Sequence, residues 1–76
     1  MFLVDLKRST TYNLDHFSAF YYEKNCLYIG NFHGKMEIAE YKDESTCKKA
    51  FARIVTKMGD KGTGLFFVPT QLELEQ

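Results

Sequence analysis

Three kinds of residue are scarce in this chain, which has no tryptophan, one proline and two cysteines. Cys26 and Cys47 stand far apart and form neither a CxxC motif nor a disulfide framework, so we expect free, buried thiols in a reducing compartment. No segment approaches the roughly 20 apolar residues of a membrane span. Asp5 interrupts the apolar N-terminus before a signal peptide develops. The sequence therefore predicts a cytoplasmic protein that does not enter a membrane.

An excess of charge of either sign is also missing, because ten Lys and Arg residues balance ten Asp and Glu residues. A protein that binds duplex DNA neutralises phosphates and usually carries a basic excess, so the balance disfavours that partner. His16 and His33 show no metal-ligand spacing, and helix capping accounts for the acidic residues around Asp43. We therefore predict no metal site, no cofactor and no enzymatic activity.

What the chain does contain is a high share of apolar and aromatic side chains in a short length. It comprises 76 residues, of which 45% are hydrophobic and 16% are aromatic. We expect one domain over residues 1–69 and a polar C-terminal tail over 70–76 that frays. A core of this size supplies roughly 3–5 kcal/mol, and small domains often rely on a staple or a partner. Because no disulfide set is present, self-association is the expected source of additional stability.

Alternating apolar residues predict five strands. Residues 1–8 are expected to form a half-buried strand, with Phe2, Val4 and Leu6 on one side and Asp5 and Lys7 on the other. A polar, turn-like stretch follows at 9–15. Further strands are expected at 17–22, 26–32, 35–41 and 65–68, the last of them ended by Pro69.

A helical period replaces the alternation in the second half of the chain. Apolar residues recur there at three- and four-residue spacing and form one stripe, at Cys47, Ala50, Phe51, Ile54 and Met58. Asp43 is the expected N-cap and Gly59 the expected end of this helix. The order β-β-β-β-α-β predicts an α+β fold, a small antiparallel meander with one amphipathic helix packed on one face of the sheet.

The two hairpin turns predict which side chains share a face of the sheet. A three-residue turn over 23–25, with Asn25 left-handed, sets Phe20 opposite Tyr28. A two-residue turn at His33-Gly34 sets Ile29 opposite Ile38 and Tyr28 opposite Ala39. If the first turn had two residues instead, the strand at 17–22 would be turned over. The aliphatic face expected under the helix comprises Ala19, Tyr21, Leu27, Ile29, Met36 and Ile38.

The other face of the sheet is aromatic, and one helix cannot cover both faces. Contiguous apolar patches are rarely left bare in a monomer. We therefore expect an exposed partner or oligomer surface, with Cys26 and Ala39 on the same face, formed by Phe20, Tyr22, Tyr28, Phe32 and Tyr41. Such a face suits self-association, binding of another protein, or stacking of a nucleotide or a single-stranded nucleic acid. The RNP1 pattern of an RRM is missing, so the last function has no motif to support it.

A second candidate is the loop that contains Lys61, Gly62 and Thr63, which is similar to the end of a phosphate-binding loop. In a P-loop the glycines follow a strand and open a helix, whose N–H groups hold the phosphates. Here the glycines follow a helix and lead into a strand. This context favours a flexible connector, with contact to an anion or other ligand as the alternative.

Three stretches carry a resemblance to a group of known proteins, namely residues 12–17, 39–51 and 67–69. With these stretches the chain resembles small uncharacterised proteins carried by phages and mobile elements of Gram-positive bacteria. The resemblance implies an α+β fold and an accessory role, in which the protein occludes or modulates a host defence protein; it implies no catalytic residue. The leading hypothesis is a non-enzymatic binding protein that self-associates through its sheet. The alternatives are a small-molecule or nucleotide-sequestering protein with a site between protomers, and a single-stranded nucleic-acid-binding module.

Overall fold

The fold is small and of the α+β class, as the sequence predicts. A computed structural model describes residues 1–31, 34–59 and 64–75. The strands are Phe2–Asp5 (β1), Thr10–Asn13 (β2), Ala19–Glu23 (β3), Cys26–Asn31 (β4), Gly34–Glu40 (β5) and Leu65–Phe67 (β6). A 3-10 helix (η1) covers Leu14–His16, the main helix (α1) covers Glu44–Gly59, and a short helix (α2) covers Gln71–Glu75.

The strands form two three-stranded sheets rather than one meander. In the first sheet β1 lies between β2, which is antiparallel to it, and β6, which is parallel to it. The second sheet is the antiparallel meander β3-β4-β5. Strand β2 lies within the stretch 9–15, for which the sequence predicts a polar turn. Its Thr10, Thr11 and Tyr12 favour extended backbone, and pairing with β1 makes them a strand.

Helix α1 begins and ends where the sequence predicts. Oδ1 of Asp43 accepts hydrogen bonds from the backbone N–H of Thr46 at 2.8 Å and from its hydroxyl at 2.7 Å, which is the expected N-cap. The helix ends at Gly59. Its predicted stripe faces the protein interior, where Cys47, Ala50 and Ile54 are buried. The helix therefore supplies one wall of the core.

One hydrophobic core is shared by both sheets and both α-helices. Its buried members are Leu3, Leu27, Ile29, Ile38, Ala39, Tyr41, Cys47, Ala50, Ile54, Phe66 and Leu74. Leu3 and Phe66 are paired neighbours on β1 and β6, so the inward side of the first sheet meets the second sheet across this core. Both sheets are therefore held by the same set of apolar contacts.

Strand β1 alternates as predicted, but its other side faces the core. Leu3 is fully buried and Asp5 is 4% exposed, whereas Phe2 is 44% exposed. Phe66 lies beside Leu3 on the inward side. Both sides of β1 carry apolar residues, so alternation alone did not identify the buried side. The contact between Leu3 and the core left Phe2 and Val4 on the outside.

The predicted turn between the second and third sequence-derived strands is wrong by one residue. Strands β3 and β4 are joined by the two residues Lys24 and Asn25, and the left-handed residue is Lys24, with a φ of 55°. The register therefore pairs Phe20 with Ile29 and Tyr22 with Leu27. This shift turns β3 over, as expected for a strand with a two-residue side-chain period.

The register between β4 and β5 also differs from the prediction. Ile29 pairs with Met36, and Tyr28 pairs with Glu37. An irregularity in the pairing next to Leu27 and Tyr28 then shifts the register, so that Leu27 pairs with Ala39. A bulge leaves one extra residue unpaired on one strand, which the turn residues do not reveal. On the turn side of the bulge, Gly34 is already part of β5 and pairs with Asn31, so Gly34 is not a turn residue as predicted. The predicted turn residue His33 lies outside the described residues.

The C-terminal segment packs on the domain, although the sequence predicts a frayed tail. Within α2, Leu74 is buried in the core. The backbone N–H of Glu73 donates to the hydroxyl of Thr70 at 3.1 Å, and the backbone N–H of Lys42 donates to Oε1 of Gln71 at 2.8 Å. Leu74 and these polar contacts therefore hold the otherwise polar segment against the domain.

Candidate functional site

The aromatic surface predicted from the sequence is largely inside the protein. Phe20 and Tyr22 turn toward α1, where each ring centroid lies 5.2 Å from that of Phe51. Tyr41 is 5% exposed. The two-residue β3–β4 turn places the aromatic residues of β3 against the helix. Tyr41 follows β5 instead, and its hydroxyl donates to the carbonyl oxygen of Pro69 inside the protein. These three residues therefore serve packing and leave the predicted surface without most of its members.

The remaining predicted site residues divide into one that is described and four that are not. Tyr28 lies on the side of the second sheet that faces away from α1. Phe32 and the candidate ligand loop Lys61, Gly62 and Thr63 lie outside the described residues.

The open side of the second sheet is polar and internally paired around Tyr28. The ring of Tyr21 stacks on that of Tyr28 at a centroid distance of 5.5 Å. Nζ of Lys35 lies 4.6 Å from the Tyr28 ring centroid and 3.0 Å from Oε2 of Glu23. Lys35 and Tyr21 thus already contact the Tyr28 ring. This face therefore differs from the bare aromatic surface that the sequence predicts.

A group of potential metal ligands lies on the same sheet, formed by Cys26, Glu37 and Glu40, whose ligand atoms are all within 4.8 Å of one another. Burial, together with a hydrogen bond and the charge of Glu37, raises the pKa of the Cys26 thiol. Oε2 of Glu37 lies 3.3 Å from Nη2 of Arg8. One of the three potential ligands is therefore already engaged in an ion pair with Arg8.

A contiguous apolar surface of the described residues lies on the first sheet instead. Residues that pair across strands share a face, and here they form two rows, Asn13–Phe2–Leu65 and Thr11–Val4–Phe67. We call these six residues the outward face. Phe2, Leu65 and Phe67 are 44%, 46% and 51% exposed. A three-stranded sheet thus presents half-exposed apolar side chains on the side that faces away from the core.

The outward face is uncharged, and its area is in the range of functional patches. None of its six residues is ionisable. With about 200 Å² of surface for each aromatic side chain, the exposed fractions amount to roughly 300 Å² of apolar area. The largest apolar patch of a typical monomer is about 300–600 Å² and is often functional. This face therefore qualifies as an interaction surface by size and by composition.

A cleft of about 320 Å³ opens where the C-terminal ends of β1 and β6 approach the end of β5. Its lining combines apolar residues with ionisable ones, namely Asp5, Leu6, Lys7, Arg8, Ala39, Glu40, Tyr41, Phe67, Val68, Pro69, Thr70, Gln71 and Glu73. We refer to it as the inter-sheet cleft. It borders the outward face, because Phe67 belongs to both.

Arg8 links the two sheets at one side of the inter-sheet cleft. Its Nη1 donates to the carbonyl oxygen of Glu37 at 3.2 Å, and its Nη2 donates to the Glu37 carboxylate. Its Nε lies 3.8 Å from Oδ2 of Asp5, and its backbone N–H donates to Oδ1 of Asp5 at 3.2 Å. Arg8 thereby connects the β1–β2 turn to β5, and Asp5 contacts Arg8 from β1.

Sequence reasoning missed both the outward face and the inter-sheet cleft. The sequence does contain one signal for each. Leu65 and Phe67 alternate with Phe66 in a predicted strand, and Asp5 interrupts an apolar strand. Neither signal indicates that β6 joins β1 or that β5 ends nearby, since those relations join residues far apart in the chain.

Comparisons of the chain with protein-family models, with curated proteins and with solved structures give no match. Among the described residues, no helix has both the length and the apolar character that crossing a membrane requires.

Proposed function

We propose that this protein is a non-enzymatic interaction protein that self-associates through the outward face of its first sheet. The observation that carries this proposal is the half-exposed, uncharged surface around Phe2, Leu65 and Phe67. Burial of apolar area is the main favourable contribution to most protein association. A domain of 76 residues also has a small core of its own. Association would therefore add to the limited stability that this small core provides.

A second copy of the chain fits this face better than a different partner does. In a twofold dimer the same patch meets itself, so any charged residue near the axis would oppose its own copy. The outward face avoids this, because Thr11 and Asn13 are its polar residues and both are neutral. Binding of a different protein commonly uses complementary charge for specificity, and this face offers none.

The size of the face sets the expected strength of the dimer. A standard interface buries about 800 Å² on each partner, which is more than the roughly 300 Å² of exposed apolar area here. Neighbouring polar residues would have to supply the rest as a rim. We therefore expect a reversible dimer with a dissociation constant in the micromolar range.

The non-enzymatic part of the proposal is supported by the state of the two thiols. Both cysteines are free and buried. Burial raises the pKa of Cys26, and it raises the pKa of Cys47 to about 11, whereas a nucleophilic cysteine needs a lowered pKa. Free thiols also persist in reducing compartments, and we propose a cytoplasmic location for this reason.

Sedimentation equilibrium and light scattering coupled to size-exclusion chromatography test the self-association. The wild-type chain is expected to change from monomer to dimer as its concentration rises through the micromolar range. Phe2→Lys places two like charges in the dimer and removes an apolar contact, so it should be monomeric. Thr11→Lys adds the charge without removing an apolar side chain, and added salt should partly restore its dimer because salt screens the repulsion.

Val55→Lys is the matched control for Phe2→Lys. Val55 is 42% exposed on α1, close to the 44% of Phe2, but it lies away from the outward face. This variant should dimerise like the wild type. A wild-type chain that stays monomeric at high micromolar concentration, or a Val55→Lys variant that loses the dimer as Phe2→Lys does, would refute the proposal.

A further inference from the structure

The inter-sheet cleft is lined in part by a carboxylate that is almost completely buried. Asp5 is 4% exposed as a residue, and its side chain is 6% exposed. Burying a charged group is costly unless it is paired and hydrogen-bonded. A carboxylate can accept about four hydrogen bonds. The stability of Asp5 in this position therefore depends on what approaches its two oxygens.

Arg8 satisfies Asp5 only in part. Within the described residues, Oδ1 accepts one hydrogen bond, from the backbone N–H of Arg8 at 3.2 Å. Oδ2 lies 3.8 Å from Nε of Arg8, beyond hydrogen-bond distance. The terminal nitrogens of the guanidinium donate to Glu37 instead. Oδ2 of Asp5 thus lies in an ion pair with Arg8, while the terminal nitrogens of that guanidinium donate their hydrogen bonds to Glu37.

The charge of the cleft lining favours a cation over an anion. Three acidic residues, Asp5, Glu40 and Glu73, and two basic residues, Lys7 and Arg8, line it, so the formal charge is one negative unit. An anion would have to approach a buried carboxylate. A neutral ligand could donate a hydrogen bond to Oδ2 but would bring no opposite charge, whereas a cation would supply both.

The remaining walls indicate the kind of cation. Leu6, Ala39, Val68 and Pro69 provide apolar surface next to the acidic end. The cleft volume of about 320 Å³ lies at the lower end of the range of about 300–1,000 Å³ that is typical of small-molecule sites. A metal ion would use neither the apolar walls nor most of this volume. An organic cation with an apolar portion uses both.

We propose that the inter-sheet cleft binds a small organic ammonium compound, whose charged group contacts Oδ2 of Asp5 and whose apolar portion lies against the β6–α2 connection. This binding site is separate from the self-association described above. Phe67 is the point of contact between the two, because it lines the cleft and belongs to the outward face.

Three probes of similar size and different charge test the proposal. Phenethylammonium, 2-phenylethanol and 3-phenylpropionate are titrated into the isotopically labelled full chain, and amide chemical shifts are followed. We expect phenethylammonium to shift the amides of residues 5–8, 39–41 and 67–71. The alcohol should bind at least about tenfold more weakly, because it can donate a hydrogen bond to Asp5 but lacks the opposite charge, and the carboxylate should not bind.

Asp5→Asn keeps the size of the side chain and an oxygen for the Arg8 N–H, but it removes the charge. In this variant phenethylammonium should lose its advantage over the alcohol. Asp15→Asn is the matched control, because the side chain of Asp15 is 71% exposed and lies outside the cleft; it should bind like the wild type. If Asp5→Asn does not fold, the comparison of the three probes on the wild-type chain still decides the question.

Two results would overturn the proposal. The first is equal binding of the cation and the alcohol, and the second is phenethylammonium shifts confined to amides outside the cleft. The Phe2→Lys variant separates this proposal from the proposed self-association, because it should bind phenethylammonium as a monomer. Loss of the dimer therefore tests one proposal, and loss of charge selectivity at Asp5 tests the other.

Discussion

The hydroxyl of Tyr41 donates a hydrogen bond of 2.7 Å to the carbonyl oxygen of Pro69. It ties the residue that follows β5 to the connection between β6 and α2. Burial raises the pKa of this hydroxyl, so it remains a donor over the whole physiological range of pH. The contact explains why the C-terminal segment is ordered and why Tyr41 does not belong to an external surface.

Tyr41→Phe removes this hydrogen bond and keeps the ring. We expect the free energy of unfolding to fall by about 0.5–1.5 kcal/mol, as measured by urea denaturation at neutral pH. Tyr21→Phe, at a half-buried position on the open side of the second sheet, is the control and should change the free energy by less than about 0.5 kcal/mol. Equal effects of the two substitutions would mean that the contact with Pro69 does not stabilise the fold.

Ile54→Ala tests the core-facing stripe of α1. Ile54 is 1% exposed, and its truncation should reduce the free energy of unfolding by about 2–5 kcal/mol because it leaves a cavity. The neighbouring Val55 is 42% exposed on the same helix, so Val55→Ala should cost less than about 0.5 kcal/mol. Thermal and urea denaturation measure both variants. A small effect at Ile54 would contradict the packing of this helix against the sheets.

Phe51→Ala tests the aromatic packing that replaced the predicted surface. The Phe51 ring lies between those of Phe20 and Tyr22. We expect a loss of unfolding free energy somewhat below the roughly 3–5 kcal/mol that is usual for Phe→Ala in a core, because Phe51 is partly buried. The near-ultraviolet circular dichroism of the folded variant should also change, since the surroundings of the Phe20 and Tyr22 rings are altered. A surface role for Phe20 and Tyr22 predicts little effect on folding instead.

The N-cap predicts how stability changes in acid. Hydrogen bonds from the Thr46 backbone N–H and hydroxyl lower the pKa of Asp43 below its ordinary value of 3.8. A lowered carboxylate pKa stabilises the fold above the unfolded-state pKa, and this contribution is lost as the pH falls through the folded-state value. Asp43→Ala should therefore be less stable than the wild type at neutral pH, and the difference should shrink in acid.

Asp43→Asn is the control for this pH dependence, because asparagine caps helices but does not titrate. Urea denaturation at neutral and acidic pH measures all three chains. The stability of Asp43→Asn should show a smaller decrease with acidification than that of the wild type. An identical decrease in both would show that the cap does not contribute to the pH dependence.

The buried thiol of Cys47 predicts a loss of stability at alkaline pH. Burial, with a further contribution from Cys26, raises the pKa of Cys47 from 9.0 to about 11. Between these values the folded state holds the proton that the unfolded state releases, so the free energy of unfolding falls as the pH rises. Cys47→Ala removes this contribution, and the difference in slope between variant and wild type, measured by urea denaturation, reports it. Equal slopes in the two chains would contradict the raised pKa.

Local features of the fold were predictable because they depend on neighbouring residues. The spacing of Cys47, Ala50 and Ile54 predicted the helix and its buried side, and Asp43 and Gly59 predicted its ends. These relations span at most four residues, which is the distance over which a helix brings side chains together. The predicted ends of strands β3, β4, β5 and β6 also lie within about two residues of the observed ends.

The candidate sites were not predictable, because each depends on a register or a strand partner. One residue fewer in the turn at Lys24 moved Phe20 and Tyr22 from the predicted surface to the helix. The outward face exists because β1 pairs with β6 on one side and with β2 on the other. The inter-sheet cleft exists because Asp5 at the end of β1 lies near residues 39–41 and 67–71.

The sequence by itself determined the α+β class, the main helix with its cap and end, and the existence of most strands, since these follow from composition and short-range periodicity. The tertiary structure alone decided that Leu3 rather than Phe2 is buried, that Tyr41 is internal, and that Asp5 borders a cleft. An alternating strand with apolar residues on both sides can bury either one. Contacts between residues far apart in the chain decide which side is buried. These contacts lower the free energy of the folded chain only when the whole core assembles.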